Sequence, residues 1–251
     1  MFVNFRIFIV SYLTYLIDLA TFYPRLKKTI LLNLGNPPKV VLDVGGNRGQ
    51  SISYFLKLNK HTKIISFEPT KSLYKYLTKK YNSFPNITIS NKGISSFSGE
   101  KKFYENRFNL TSSFEKLNYD SDYLKFKTKI LGIDKNEIIK EEYNVNVITL
   151  SSYINDNISS DIDVIKIDVE GHEYECLRGL FNTSFDSNIH LIQLENHNDD
   201  MYENSISFSQ INDILNRNNF ELVDRFKHAF GDFEDLLYKN KMIWKGLIKY
   251  F

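Results

Sequence analysis

The chain has 251 residues, of which 42% are hydrophobic and 25% are charged, and this balance is that of a globular protein. It excludes a chain that is mostly disordered, collagen-like or polytopic in a membrane. The 32 lysines and arginines nearly cancel the 30 aspartates and glutamates, and the net charge of +2 argues against a protein that coats nucleic acid. The one cysteine, Cys176, excludes an internal disulfide and a thiolate zinc site, so the cytoplasm is the expected compartment.

Residues 1–23 are strongly apolar and predict a helix. Arg6 interrupts the apolar run, no small-residue cleavage site follows it, and its uncharged part is too short to cross a membrane. We expect this helix to pack on the rest of the domain or on a second subunit, so a homo-oligomer is one alternative. The other is a helix in the plane of the inner membrane face, with Arg25, Lys27 and Lys28 against anionic lipid.

Strands alternate with helices after the proline break at residues 36–38. This order predicts an α/β fold with parallel strands and right-handed crossovers. The expected strands are residues 39–44, 63–67, 87–90, 161–168, 189–195, 220–225 and 235–244, with short pieces at 101–104 and 112–114. The expected helices are residues 50–59, 70–81, 173–181 and 208–218.

The chain is expected to form one domain that follows an amino-terminal helix. Residues 1–36 are the apolar helix and its connector, and residues 37–251 are the domain. Within the domain, residues 115–143 carry many charges of both signs with little periodicity, and they predict an inserted helical excursion or a cap. The paired charges of this insert supply no basic stripe for nucleic acid.

A glycine loop at residues 43–49, of the form D-x-G-x-x-x-G, lies between the first strand and the next helix. Such a loop lets the backbone approach a ligand closely at the carboxyl edge of a parallel sheet. Glu68 ends the second strand, where a carboxylate can accept both hydrogen bonds of a ribose diol. The dinucleotide pattern G-x-G-x-x-G is absent, and Asp43 would repel a pyrophosphate. The charges therefore favour S-adenosylmethionine, with its sulfonium and amino groups; an ordinary strand-to-helix turn is the alternative.

A second constellation stands at residues 165–173, Ile-Lys-Ile-Asp-Val-Glu-Gly-His-Glu. Asp168 and Glu170 close a buried strand, so their carboxylates are expected in the same cleft as the glycine loop. The alternative is that one of these acids caps the next helix and that His172 is merely solvated.

Several blocks of the chain, in order, resemble the FkbM family of S-adenosylmethionine-dependent methyltransferases. The most specific is I-K-I-D-V-E-G-x-E at residues 165–173, and the opening loop at 41–49 matches except that the family more often has Ala at Gly46. The resemblance covers about residues 38–226 but leaves out the amino-terminal helix and the charged insert. Weaker blocks stand at residues 67–69, 91–95, 111–114, 147–150 and 194–195.

The resemblance implies a class I methyltransferase fold, with a mostly parallel seven-stranded sheet, helices on both faces, and S-adenosylmethionine as cofactor. By the family pattern, Asp43, Gly45 and Gly49 would line the methionine end of this cofactor. Glu68 would hold the ribose, and Asn91 would lie near the adenine. The full cofactor-binding set is Asp43, Gly45, Gly46, Asn47, Gly49, Glu68, Pro69, Asn91 and Asp168.

The family is similar to enzymes that methylate hydroxyl groups, which are poor nucleophiles until a base removes their proton. The candidates at the strand ends are Asp168, Glu170, Glu195 and His197. We favour His197 or Glu195 as the base, because an unperturbed histidine titrates near neutral pH. Asp168 is expected to orient the substrate or contact the cofactor.

A divalent metal that acidifies a sugar diol is the less favoured mechanism. Acid clusters at strand ends are more often solvated or hydrogen-bonded to neighbours. The oxygen-rich ligands that a hard cation prefers would come from Asp168, Glu195, Asn196, Asp199 and Asp200.

The expected acceptor is a sugar hydroxyl of a surface glycan or a lipid-linked saccharide, and a secondary metabolite is the alternative. An N-methyltransferase would carry an Asn-Pro-Pro-Tyr-like strand end, and residues 196–198 contain no proline. A cofactor-binding subunit that has lost catalysis is a third possibility, with Trp244, Tyr250 and Phe251 joining residues 1–23 in a dimer face.

Overall fold

The computed structural model describes residues 17–107, 112–132, 134, 137–228 and 233–243. Its strands are β1 Val40–Val44, β2 Lys63–Phe67, β3 Ile87–Ser90, β4 Gly93–Ile94, β5 Gly99–Asn106, β6 Ile139–Ile148, β7 Ile162–Ile167, β8 Ile189–His197, β9 Phe220–Lys227 and β10 Phe233–Asn240. Its helices are α1 Phe22–Leu34, α2 Gln50–Leu58, α3 Lys71–Lys80, α4 Asp122–Leu131, α5 Leu150–Asn157, α6 Glu173–Leu180 and α7 Phe208–Arg217.

Seven strands form one sheet in the order β3-β2-β1-β7-β8-β10-β9. The first five are mutually parallel, and β10 runs antiparallel to both β8 and β9. The mostly parallel seven-stranded sheet expected from the sequence is therefore confirmed. From β1 the chain proceeds outward to β3 and then returns to β7 on the other side of β1. The carboxyl ends of β1 and β7 thus flank the switch point, where open α/β sheets bind ligands.

Helices cover both faces of the sheet. Successive side chains of a strand point alternately to the helices on one face and on the other. In β1, Leu42 and Val44 face the layer made by α5, α6 and α7, and Val41 faces the layer made by α1, α2 and α3. All three side chains are at most 1% exposed. Central parallel strands are buried on both faces, which is why they read as continuous apolar runs in the sequence.

The charged insert is more regular than the sequence predicted. Its central part is α4, which Ser121 caps by accepting a hydrogen bond from the Leu124 amide. Its last residues belong to β6, which starts at Ile139 and forms a small sheet with β4 and β5. The first half of β6 is mostly exposed and charged, so it lacks the apolar alternation that identifies a strand.

Helix α1 begins at Phe22, near the end of the apolar helix predicted for residues 1–23, and it packs on the sheet. The packing of the predicted helix itself stays a prediction. Its buried face consists of Phe22, Leu26 and Ile30. Arg25 forms an ion pair with Asp224 of β9 and is still exposed, as are Lys27 and Lys28. No helix within the described residues is long and apolar enough to cross a membrane. Residues 1–16, Trp244, Tyr250 and Phe251 lie outside the described residues, and contact with a membrane surface stays a prediction.

A histidine bracketed by two carboxylates joins the amino-terminal segment to the sheet. His228 Nε2 lies 2.7 Å from Asp235 Oδ2, and its Nδ1 lies 3.3 Å from Asp18 Oδ1. Burial by itself lowers the pKa of His228, but the two carboxylates outweigh it and raise the pKa to about 10. The folded protein therefore retains a proton that the unfolded chain loses above about pH 6.5.

We expect this link to make stability depend on pH in a defined direction. The contribution is complete below about pH 6.5, where both states are protonated, and it is lost as the pH rises towards 10. Denaturant unfolding of the wild type between pH 6 and 10 should thus show a steeper loss of unfolding free energy than that of His228→Gln. The exposed His61→Gln variant is the control and should follow the wild type. Parallel curves for the wild type and His228→Gln would contradict the assignment.

Candidate active site

An open cleft lies at the carboxyl ends of β1, β2 and β7, at the switch point of the sheet. It borders about 580 Å³ of empty space, a volume that includes open solvent at its mouth. The part of its lining that the sequence identified is Gly45, Asn47, Glu68, Pro69, Asp168 and Glu170. The other lining residues are Val44, Phe67, Thr70, Leu73, Lys92, Gly93, Ile94, Phe103, Ser112, Phe114 and Val169.

The glycine loop is pressed against the end of β7. The Asp168 amide donates to the Val44 carbonyl at 3.0 Å, and a Cβ added to Gly45 would lie 1.8 Å from the Asp168 carbonyl oxygen. Gly45 also has a φ of +93°, which residues with a side chain rarely adopt. Only glycine therefore allows the glycine loop to pack against the turn at residues 168–171, the signature turn, and the two together form one wall of the cleft.

The other two glycines of the loop serve packing. A Cβ at Gly46 would lie 2.4 Å from Ser66 Oγ, and one at Gly49 would lie 2.8 Å from the Tyr81 hydroxyl. Both positions face side chains on the far side of the loop, and neither belongs to the described lining of the cleft. Their expected contact with a cofactor stays a prediction.

Glu68 lies at the cleft with its carboxylate already fixed by the backbone. Its Oε2 accepts from the Asn47 amide at 2.7 Å, and its Oε1 accepts from the Thr70 amide at 2.8 Å. Burial raises the pKa of Glu68 to about 7, against the effect of these two hydrogen bonds. The Thr70 side chain gives this carboxylate a third hydrogen bond, so one of its four acceptor positions is left for a ribose hydroxyl. Asn91 donates to the Glu68 and Pro69 carbonyls and supports this turn from behind.

A buried lysine lies beneath the cleft between two aspartates. Lys166 Nζ donates to Asp168 Oδ2 at 2.7 Å, and burial and the neighbouring charges act in opposite directions on its pKa. The Asp168 and Asp43 carboxylates prevail and raise the pKa of Lys166, whereas Lys166 outweighs burial at Asp168 and lowers the pKa of that carboxyl. Asp43 is fully buried, and its Oδ2 accepts from Ser66 Oγ at 2.7 Å. Asp168 remains 38% exposed and lines the cleft as an anion.

The signature turn places Glu170 in a strained conformation at the cleft. Its φ is +56°, unusual for a residue with a side chain, and such strain is common at functional sites. The Ser113 hydroxyl donates to its carbonyl at 2.6 Å, and the Tyr202 hydroxyl donates to its Oε2 at 3.0 Å. Glu173 Oε1 accepts from the Val169 and Gly171 amides and closes the turn. The alternative, in which Asp168 or Glu170 caps α6, is wrong, because the N-cap of α6 is His172 and no side chain caps it.

The end of β8 brings Glu195 and His197 beside Glu170. His197 Nε2 lies 3.0 Å from Glu195 Oε2, and its Nδ1 lies 3.6 Å from Asp199 Oδ2. Burial alone would lower the pKa of His197, but the Glu195 and Asp199 carboxylates raise it well above its usual range. Burial and the mutual repulsion of the carboxylates raise the pKa of Glu170 to about 8 and also that of Glu195. The premise that His197 titrates near neutral pH as an unperturbed histidine is therefore wrong.

His172 was expected to be solvated in the alternative interpretation of the signature, and it is buried instead. Its Nδ1 lies 2.6 Å from Glu115 Oε1, and its Nε2 lies 3.0 Å from Ser95 Oγ. This chain of hydrogen bonds ties the first residue of the insert to the start of α6. Ser95 is fully buried, which suits a structural link and gives no access to a substrate.

The residues considered as hard-cation ligands point in different directions. Asp168 pairs with Lys166, and Asn196 donates to Asn198 and Glu234 on the other side of β8. Asp200 accepts from Ser121 of the insert. Glu195 and Asp199 stay near His197, and Glu170 joins them although it was outside that set.

Two residues of the site were not identified from the sequence, and only one of them could have been. Lys166 lies two residues before Asp168, and alternation along a strand places both on one face, so their pairing could have been inferred. Tyr202 reaches Glu170 from a loop 32 residues later, and no local pattern marks it.

We expect Gly45→Ala to disrupt the wall of the cleft. The strained φ and the clash with the Asp168 carbonyl should together lower the free energy of unfolding by about 3 kcal/mol or more. Gly35→Ala is a matched control, because Gly35 also has a positive φ but has nothing within 4 Å of the added Cβ. It should cost only about 1 kcal/mol. Equal losses in denaturant unfolding of the two variants would show that the contact between the two loops is not tight.

Comparisons with known proteins give a family and a set of solved structures. The Methyltransferase FkbM domain matches residues 43–222, more than half of the chain. No protein of curated function matches the chain. Magnesium protoporphyrin IX methyltransferase from Synechocystis PCC 6803, solved with bound S-adenosylmethionine, is 10% identical, with 87% of this chain and 77% of that chain covered at a TM-score of 0.47.

Two further solved structures are similar at the same low level. The fibrillarin pre-rRNA processing protein of Methanococcus jannaschii is 11% identical, with 82% of this chain and 68% of that chain covered at a TM-score of 0.47. The ribosomal protein L11 methylase of Lactobacillus delbrueckii subsp. bulgaricus is 11% identical, with coverage of 85% and 75% at a TM-score of 0.44. On the strength of the domain match, the chain belongs to the FkbM methyltransferase family and is an S-adenosylmethionine-dependent methyltransferase.

Proposed function

We propose that this methyltransferase transfers its methyl group to a hydroxyl oxygen, and that the acceptor is a sugar of a surface glycan or a lipid-linked saccharide. The observation that carries the proposal is the pair of carboxylates, Asp168 and Glu170, on the lining of the cleft. A hydroxyl needs a proton acceptor close to its oxygen before it attacks, and a carboxylate can act as one.

The cofactor end of the cleft is proposed to be the wall made by the glycine loop and Glu68. S-adenosylmethionine supplies an electrophilic methyl group on a sulfonium. Gly45 would let the backbone approach it, Glu68 would accept from the ribose hydroxyls, and the Asp168 anion would favour its positive charge. The resemblance of the glycine loop and of the strand end at Glu68 to the family pattern supports this orientation.

The acceptor end is proposed to be the side at which Glu170 lies. The acceptor oxygen uses a lone pair to form the new O–CH3 bond, and the electron pair of the broken S–CH3 bond stays on sulfur. The hydroxyl proton passes to Asp168 or Glu170. The enzyme contributes mainly by holding the oxygen, the methyl carbon and the sulfur in line. Neither His197 nor Glu195 is the proposed base, because neither is among the residues that line the cleft.

A labelled methyl group gives a direct test of the proposed O–CH3 bond. Purified protein would be incubated with methyl-labelled S-adenosylmethionine and either cell-envelope glycans, lipid-linked saccharides or hydroxyl-bearing secondary metabolites. We expect the label in a sugar fraction, as an ether that survives mild base. Label in the metabolite arm alone would support the alternative acceptor. A base-labile ester or an N-methyl product would contradict O-methylation.

We expect Asp168→Asn and Glu170→Gln to separate binding from turnover. Loss of the group that accepts the proton should lower kcat by about 10²- to 10⁴-fold, since general bases contribute roughly this much. Calorimetry should show that Glu170→Gln still binds S-adenosylmethionine. Glu175→Gln is the matched control, because Glu175 contacts Ser96 and Arg178 outside the cleft. Wild-type turnover in both cleft variants would rule out a carboxylate base.

A further inference from the structure

Three side chains that can bind a metal converge beside the cleft. One potential ligand atom each from Glu170, Glu195 and His197 lies within 4.8 Å of the others. Glu195 and His197 are alternate residues of β8 and so project from the same face of the strand. Glu170 comes from the turn after β7, the neighbouring parallel strand.

The buried polar atoms of this cluster are not satisfied by hydrogen bonds. Both ring nitrogens of His197 and Oε2 of Glu195 are buried and have no hydrogen-bond partner among the described residues. The 3.0 Å between Nε2 and Oε2 is an ion-pair distance without the alignment of a hydrogen bond. Buried polar atoms in native proteins nearly always have a partner, so this set calls for one.

An independent observation comes from Asp199, outside the three. Its side chain is 2% exposed, and its Oδ2 has no hydrogen-bond partner among the described residues. That oxygen points at His197 Nδ1 from 3.6 Å, and the Met201 amide holds the other oxygen. Histidine ligands of metals commonly direct their second ring nitrogen at a carboxylate, which fixes the tautomer and turns the first nitrogen towards the metal.

The charges around the cluster favour a cation. Four carboxylates surround His197, and Lys127 is a lysine whose charge acts on two of them, Glu170 and Asp199. Asp168 is paired with Lys166, and its negative charge still acts on Glu170 and Glu195. The four carboxylates are those of Glu170, Glu173, Glu195 and Asp199.

We propose that Glu170, Glu195 and His197 bind a divalent transition-metal cation, with Asp199 orienting the histidine. Two carboxylates and one imidazole suit Mn²⁺, Fe²⁺ or Zn²⁺ better than Ca²⁺, which takes six to eight oxygen ligands. Neighbouring ligands of a cation bound at about 2.1 Å lie about 3 Å apart, so the present separations require only small side-chain shifts. Three protein ligands would leave positions open for water or an acceptor, and one of the three, Glu170, lines the cleft.

The role of the cation rests on the proposed function. An acceptor hydroxyl at an open position becomes more acidic when its oxygen is bound to the cation. Glu170 is then occupied as a ligand, and Asp168 is the cleft carboxylate that takes the proton. The Tyr202 hydroxyl holds Glu170 Oε2, so the other oxygen of Glu170 is the one directed to the cation.

Manganese titration of the full chain tests the site without cofactor or acceptor. After treatment with a chelator, Mn²⁺ is added, and the loss of the free Mn²⁺ resonance measures binding. We expect one Mn²⁺ per chain, and at least tenfold weaker binding by Glu195→Gln and His197→Gln. Asp199→Asn should weaken binding by about 10- to 100-fold through the orientation of the ring. His190→Gln is the matched control, because His190 lies on the same strand and pairs with Asp161.

The outcomes are separable from those of the methyl-transfer assay. No stoichiometric Mn²⁺ binding by the wild type overturns the site, as does equal binding by His197→Gln and His190→Gln. If a cluster variant fails to fold by circular dichroism, pulsed magnetic resonance of the wild-type complex decides: nitrogen coupling from an imidazole supports the site, and its absence overturns it. Failure of O-methylation leaves the metal titration unaffected, so the two proposals can fail separately.

Discussion

The buried ammonium of Lys166 holds the two halves of the cleft together. Lys166 lies opposite Asp43 in the parallel pairing of β1 with β7, and its charge is shared between Asp43 below and Asp168 at the cleft. An ion taken out of water costs several kcal/mol unless it is paired, so each of these groups depends on the others. The glycine loop follows Asp43 and the signature turn follows Asp168, which means that both walls start from this network.

The cleft is therefore built on charge that is balanced in one place and in excess in another. Asp168 and Asp43 share the lysine, whereas burial and mutual repulsion raise the pKa values of Glu170 and Glu195 beside His197. Electrostatic interactions are stronger in such a water-poor site than in solution. The side chains hold these charges in place before a ligand binds. Such preorganised charge is usually the largest contribution to catalysis by an enzyme.

Local patterns in the sequence predicted the features that depend on neighbours in the chain. The apolar runs around β1 and β7, the glycine loop and the acid at Glu68 follow from period, turn chemistry and spacing, and the structure places them as expected. The first half of β6 was not predicted, because it is exposed and charged and so lacks the alternation of apolar residues that marks a strand. The raised pKa of His197 could not be predicted from the sequence. It depends on burial and on the approach of Glu195 and Asp199, which residue types alone do not give. The contact of Tyr202 with Glu170 could not be predicted either, because the two residues are far apart in the chain.

The insert is fastened to the cleft at several points. Glu115 binds His172 next to the signature turn, and Asn118 and Ser121 bind Asp200, the residue after the one that faces His197. These fastenings lie at the start of the insert, whereas Phe126 on α4 is 60% exposed. One face of α4 still reaches this region, because the charge of Lys127 acts on Glu170 and Asp199. The exposed side around Phe126 can therefore vary without disturbing the cleft, whereas a change at Glu115, Ser121 or Lys127 would alter the surroundings of its acidic groups.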